Sequence, residues 1–228
     1  MAEGEPQMLS RGLRVAVFAA GAMLYAGSAS AADVSFTGSF ATDDTVQLFN
    51  FSVGAPSTVS LRSYSYAGGT QANGNVVPAG GFDTILALFD ATGHLVTQND
   101  DGAGVPADPV TGAHFDTFLQ SSLAAGNYTV SVMEFNNFAN GPNLANGFER
   151  DGQGNFTAAY GCVAAMFCDV GGHNRTNQWA FDILNVSDAV LVDRAPGNVS
   201  AVPIPAALPL LASALAWLGF FGYRRRGA

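Results

Sequence analysis

Asn127-Tyr128-Thr129-Val130-Ser131-Val132-Met133-Glu134 decides the fold class of this chain. Tyr128, Val130 and Val132 recur at every second position, with Thr129 and Ser131 between them. Successive side chains of a strand point to opposite faces, so this alternation turns one face inward and the other outward. The same period lies to either side. Within 45–53 it puts Phe49, Phe51 and Val53 on one face, and within 178–185 it does so for Trp179, Phe181 and Ile183. Thr84-Ile85-Leu86-Ala87-Leu88-Phe89 is apolar throughout, which fits a central sandwich strand covered on both faces or a buried helical turn. Asp90-Ala91-Thr92-Gly93 follows it and leads into His94–Gln98, a hairpin pattern whose glycine supplies a positive φ.

Eight strands are expected, at 34–40, 45–53, 57–65, 84–89, 94–98, 116–120, 127–134 and 178–185. That spacing predicts an all-β domain over 32–195, an antiparallel β-sandwich of jelly-roll type. No fixed-period repeat is present, so a propeller or solenoid is disfavoured. Two connections are long, Gly68 to Gly81 and Phe135 to Phe156. The second carries Phe138, Leu144 and Phe148, which predicts a segment packed over the sandwich rather than a free loop.

The chain has 228 residues and a formal charge of −9, from 18 acidic and 9 basic side chains, every basic one an arginine. Only 12% of residues are charged and 48% are hydrophobic, which excludes disorder by composition. The acidic balance leaves no electrostatic footprint for nucleic acid. The arginines are also unevenly placed: Arg11 and Arg14 stand near one end and Arg224, Arg225 and Arg226 at the other.

Those clusters belong to two terminal signals. Arg11 and Arg14 precede an uncharged run from Val15 to Tyr25 and a small-residue site at Ala29-Ser30-Ala31. This is the order of an export signal, 1–31, cleaved after Ala31 or one residue later; the apolar run is too short to span a bilayer. After a linker at 196–201 come Val202-Pro203-Ile204-Pro205-Ala206, an uncharged stretch over 206–223, and the three arginines. The stretch suits one transmembrane helix, and the arginines hold its far end in the cytoplasm.

Region 202–228 resembles the PEP-CTERM class of bacterial sorting signals, nearest the Val-Pro-Leu-Pro-Ala subtype, with Ile204 in place of leucine. The resemblance implies processing by an exosortase, a membrane transpeptidase. The central region resembles the bacterial pre-peptidase C-terminal domain. That resemblance rests on Phe36-Thr37-Gly38-Ser39-Phe40, Asp43-Asp44, Val46, Phe49 and Phe51, then Phe82-Asp83-Thr84-Ile85-Leu86, Leu88-Phe89-Asp90 and Gly93. It continues through Asn99-Asp100-Asp101, Leu123, Ala125-Gly126, Tyr128 and Val130. It implies a β-sandwich with an accessory, adhesive or binding role outside the cell.

No nucleophile elbow, zinc-protease helix or phosphate loop is present, so no catalytic residue is assigned. His94, His114 and His173 are far apart in sequence. Asp83, Asp90, Asn99, Asp100 and Asp101 flank two strand ends beside Gly102, an oxygen-rich set of the kind calcium takes. Ordinary Asp/Asn turn bonding accounts for the same residues. Cys162 and Cys168 are expected to pair as a disulfide in an exported protein, with reduced structural thiols the alternative. Tyr64, Tyr66, Phe138 and Phe148 are either core or sugar-stacking residues, and core is favoured.

The leading expectation is a non-enzymatic exported surface or matrix protein. It would pass through an inner-membrane-anchored form, be sorted by an exosortase-type enzyme, and meet extracellular polysaccharide or envelope proteins. A calcium-assisted carbohydrate-binding module is the alternative, and a secreted enzyme of unknown type the third.

Overall fold

The computed structural model describes residues 31–164 and 166–192. Residues 1–30 of the signal region, Ala29 among them, the linker, the sorting motif Val202–Ala206, the 206–223 stretch and Arg224–Arg226 lie outside the described residues.

Among the described residues eleven strands are formed: β1 (Ala32–Ser39), β2 (Gln47–Val53), β3 (Ser57–Ser63), β4 (Gly69–Thr70), β5 (Val76–Val77), β6 (Thr84–Asp90), β7 (Leu95–Asn99), β8 (Phe118–Leu123), β9 (Gly126–Glu134), β10 (Gln178–Val186) and β11 (Asp188–Val192). One sheet runs β1-β10-β3-β8, the other β11-β2-β9-β6-β7, and β4-β5 is a separate small hairpin. All the strand pairings are antiparallel. Among the described residues no helix is long and apolar enough to cross a membrane.

The alternating residues meet between the sheets. Phe49, Phe51 and Val53 of β2, Val130 and Val132 of β9, and Leu86 and Leu88 of β6 pack against Val59, Leu61, Phe181 and Ile183 of the facing sheet. Phe49 sits at the centre, edge-on to Trp179 at 5.6 Å and tilted against Phe181 at 5.3 Å. Each fully buried side chain of this size contributes about 1.5–3 kcal/mol relative to exposure. Gly38 of β1 lies opposite Trp179 of β10. A Cβ there would overlap the indole, so only glycine lets the ring lie flat against the strand.

The second long connection is a flap on the outer face of the five-stranded sheet. Ala139, Leu144 and Phe148 cover Leu48, Ile85, Ala87, Phe89 and Met133 in a second apolar cluster. Leu144 N donates to Gly93 O at 2.8 Å and Leu95 N donates to Pro142 O at 2.8 Å, fastening the flap to the β6–β7 turn. This cover explains why β6 is apolar on both faces. It also changes the fate of Ser131, which points outward from the sandwich as its parity demands yet is fully buried beneath the flap.

Two features depart from the expected strand list. The Gly68–Gly81 connection contains the β4–β5 hairpin, too short to show a period. Strand β11 follows β10 after Ser187 alone and pairs with β2 in the opposite sheet. Asn185, at φ 65°, turns the chain there, and Ser187 N donates to Ser52 O at 2.8 Å. Val190 and Leu191 stay half-exposed on this edge strand, so no alternation marked it.

Candidate functional site

The connections are distributed unequally. At one end they are 54–56, 91–94, 124–125 and the single residue 187; at the other they are 40–46, 64–83, 100–117 and 135–177. Long connections carry backbone groups that no sheet ladder satisfies, so the second end needs side-chain acceptors. Buried carboxylates supply them.

Asp43 accepts from Asn155 N at 2.6 Å and from Thr157 N and Oγ1 at 2.9 and 2.6 Å, tying the β1–β2 connection to the β9–β10 connection. Asp116 accepts from Ser63 Oγ, Tyr66 N and Ala67 N at 2.8, 3.1 and 2.8 Å. Asp182 accepts from Ala72 N at 2.8 Å and Gln71 Nε2 at 3.0 Å, holding the small hairpin over the other sheet. Asp169 accepts from Tyr66 Oη at 2.6 Å and from Gly171 N and His173 N, both at 2.9 Å. Asp108 accepts from Val110 N and Thr111 N and pairs with Arg175 Nη2 at 3.1 Å.

Arg175 links these groups. Its Nη2 also donates to Tyr66 O at 2.7 Å and its Nε to Gly81 O at 2.9 Å. Its guanidinium lies 3.6 Å from the Tyr66 ring centroid. From the 135–177 connection the arginine fork thus satisfies three acceptors in two other connections, 64–83 and 100–117, which a lysine point charge would not.

Burial in general disfavours an ionised carboxyl, and hydrogen-bond donors favour it. In Asp108, burial is outweighed by the Thr111 amide and Arg175, and the group is held below its ordinary range. Asp169 likewise falls low, burial being overcome by Tyr66 and His173. In Asp116, burial prevails over its donors and the group is raised. Burial, then the bond to Asp169, raises the Tyr66 phenol.

Of the candidate calcium residues, the structure places Asp83 beside the charges of Asp100 and Asp101, at the connection-rich end. Asn99 Nδ2 donates to Phe118 O at 3.1 Å and to Asp101 O, and Asp100 O accepts from Thr117 Oγ1. Asp90 is not brought to them. It ends β6, the strand that Asp83 precedes, about 23 Å away at ~3.3 Å per residue. There its Oδ1 accepts from Thr92 N and His94 N at 2.8 and 3.0 Å, an ordinary Asx turn. The five residues therefore do not converge. Among the described residues no cluster of three or more His, Cys, Asp or Glu side chains could hold a metal ion.

Cys162 and Cys168 are joined in a disulfide, their Cα atoms 5.8 Å apart. Tyr66 and Phe148 are interior, and Tyr64 is 8% exposed, so these three present no sugar platform; Phe138 is half-buried against the flap cluster. The histidines separate as well. His94 sits at the short-connection end, His114 Nδ1 contacts Val105 O at 2.8 Å, and His173 Nδ1 contacts Asp169 at 3.0 Å.

Sequence reading passed over Asp43, Asp108, Asp116, Asp169, Asp182, Arg175 and Glu134. Asp108-Pro109-Val110-Thr111-Gly112 and Asp169-Val170-Gly171-Gly172-His173 carried a local sign, a turn pattern, while the donors to Asp43, Asp116 and Asp182 come from distant segments. No protein-family model matches the chain, and no curated protein matches it.

Proposed function

We propose that this chain is a non-enzymatic exported surface or extracellular-matrix protein, sorted through its C-terminal signal by an exosortase-type enzyme. One observation carries this reading: Val202-Pro203-Ile204-Pro205-Ala206, the uncharged 206–223 stretch and Arg224–Arg226 follow in sorting-signal order, with an export signal at the opposite end. The protein is held in the inner membrane by its C-terminal helix and is then transferred to the surface or released. The pre-peptidase C-terminal-like domain it delivers is of jelly-roll type: β1-β10-β3-β8 faces β2-β9-β6-β7, with β11 added at one edge. Its role is adhesion or binding of extracellular polysaccharide or envelope proteins. The interior carboxylates described above are engaged in holding connections, which supports a structural rather than a catalytic use of this end.

The test is the mass of the protein recovered from cells that possess an exosortase. Intact mass should show the N-terminus at or next to Ala32 and loss of sequence beyond the Val202–Ala206 motif. Replacing Pro203 and Pro205 by alanine should leave an uncut membrane form. A surface protein of identical C-terminal mass with and without those replacements would overturn the sorting assignment.

A further inference from the structure

Seven carboxyls are buried among the described residues: Asp43, Asp83, Asp108, Asp116, Glu134, Asp169 and Asp182. Five of them accept the hydrogen bonds given above. Asp83 and Glu134 differ. Asp83 is 3% exposed and Glu134 is 1% exposed, yet Asp83 Oδ1 and Glu134 Oε2 have no hydrogen-bond partner among the described residues. The fold brings the two together at one point. Thr84 is paired with Glu134 across β6 and β9, and Phe135 N donates to Asp83 O at 2.9 Å. An ionised carboxylate withdrawn from water without donors is strongly disfavoured, and such a group neutralises instead.

We infer that Asp83 and Glu134 form a proton-held latch: the folded domain keeps this pair protonated at pH values where an exposed carboxyl is already ionised, and loss of the proton loosens the connection-rich end. The charges around the pair reinforce this. Glu134 is faced by Asp83 ahead of β6, by Asp43 of the β1–β2 connection, and by Asp169 and Arg175 of the β9–β10 connection. Asp83 is faced by Asp100, Asp101 and Asp116 of the β7–β8 connection and by Asp169. Tyr160, also near both, is a phenol that burial raises further and that carries no positive charge. Arg175 is the one cation in this set, and it is engaged with Asp108 at 3.1 Å. Burial first, then the Asp83 charge, pushes Glu134 well above its ordinary range; burial, then Asp101 and Asp100, does the same to Asp83.

The latch lies where β9 passes into the flap. Phe135 N is bonded to Asp83 O, and Asn137 N donates to Glu134 O at 3.1 Å, so the first residues of the flap hang on the two latch residues. A group raised in the folded state stabilises it fully below the ordinary carboxyl range, and that contribution is lost as pH rises through the raised value. Within that window each pH unit lowers the folding equilibrium constant by up to tenfold per proton retained. Asp108 and Asp169 are held low and act in the opposite sense, on the acid side, so a variant comparison isolates the latch.

The experiment uses the full chain in detergent, with unfolding followed by near-ultraviolet circular dichroism from about pH 5 to about pH 9. The folding constant of Glu134→Gln, divided by that of the unmodified chain, should rise at least about tenfold across this range. Exchange at the Phe135 and Asn137 amides, corrected for its intrinsic pH dependence, should quicken with pH in the unmodified chain and not in the variant. Should Glu134→Gln fail to fold, Asp83→Asn gives the same two readouts. A ratio that does not change with pH would overturn the inference, as would flap amides indifferent to the variant. So would calcium chloride restoring alkaline stability to the unmodified chain but not to Glu134→Gln, since a cation rather than a proton would then neutralise the pair.

Discussion

Replacing Arg175 by alanine tests whether the connection-rich end is held together as described. The side chain is 4% exposed and its partner Asp108 is 1% exposed. Truncation leaves three acceptors without their donor: Tyr66 O, Gly81 O and Asp108 Oδ2. It also removes the cation from the Tyr66 ring. Each buried acceptor left unsatisfied costs about 1–3 kcal/mol, and breaking a buried ion pair from one side costs about 3–5 kcal/mol. These losses overlap, because water entering the vacated volume serves more than one acceptor, and Asp108 keeps its amide donors from Val110 and Thr111. We therefore expect a loss of about 3–5 kcal/mol. At ~2–4 °C per kcal/mol for a domain of this size, Tm should fall by roughly 6–20 °C. Urea and thermal unfolding of the full chain measure it, with Arg175→Lys expected between the two because a lysine cannot fork to all three acceptors. A double-mutant cycle with Asp108→Ala should show at least about 1 kcal/mol of coupling. A loss below about 1 kcal/mol for Arg175→Ala, or strict additivity with Asp108→Ala, would refute the reasoning.

Two further predictions concern the flap and the disulfide. Phe148→Ala opens a cavity over Ile85, Phe89 and Met133 and should cost about 3 kcal/mol, the low end for a buried phenylalanine because the flap can settle inward; hydrogen exchange at Ser131 should quicken, and unchanged protection there would contradict the cover assigned to the flap. Reduction of Cys162–Cys168 should cost about 2 kcal/mol, since the bridge closes only a short loop. Thermal unfolding with and without dithiothreitol reads the difference, and a change under about 0.5 kcal/mol would show that the staple does not restrain the unfolded chain.

How much could be read in advance differs by element. Strands β2, β9 and β10 were legible because side-chain alternation is a local consequence of strand geometry, independent of what covers the face. Strand β6 was legible as doubly buried, and the scattered Phe138, Leu144 and Phe148 rightly foretold a packed segment. Strand β11 was not legible, since the adjacent Val190 and Leu191 point to opposite faces and both stay half-exposed, which leaves no alternation to read. Acidic residues that close their own turns, such as Asp90 and Asp108, were legible locally, and those that clamp distant segments only as composition. Asp90 does what its local pattern says, closing its own turn, while Asp83, in the same motif, is withdrawn from water at the opposite end of β6.

The sequence alone determined the period of the strands, the unequal spacing of the turns and the placing of arginines at both termini, because each is a property of neighbouring residues. Tertiary structure alone decided what the surplus of acids is for. Asp43 meets Thr157, Asp116 meets Tyr66 and Asp169 meets Tyr66 across separations that no local pattern encodes. A carboxylate is a turn cap, a clamp or a proton-holding group according to the donors that folding brings to it, and among the described residues folding brings none to Asp83 Oδ1 and Glu134 Oε2.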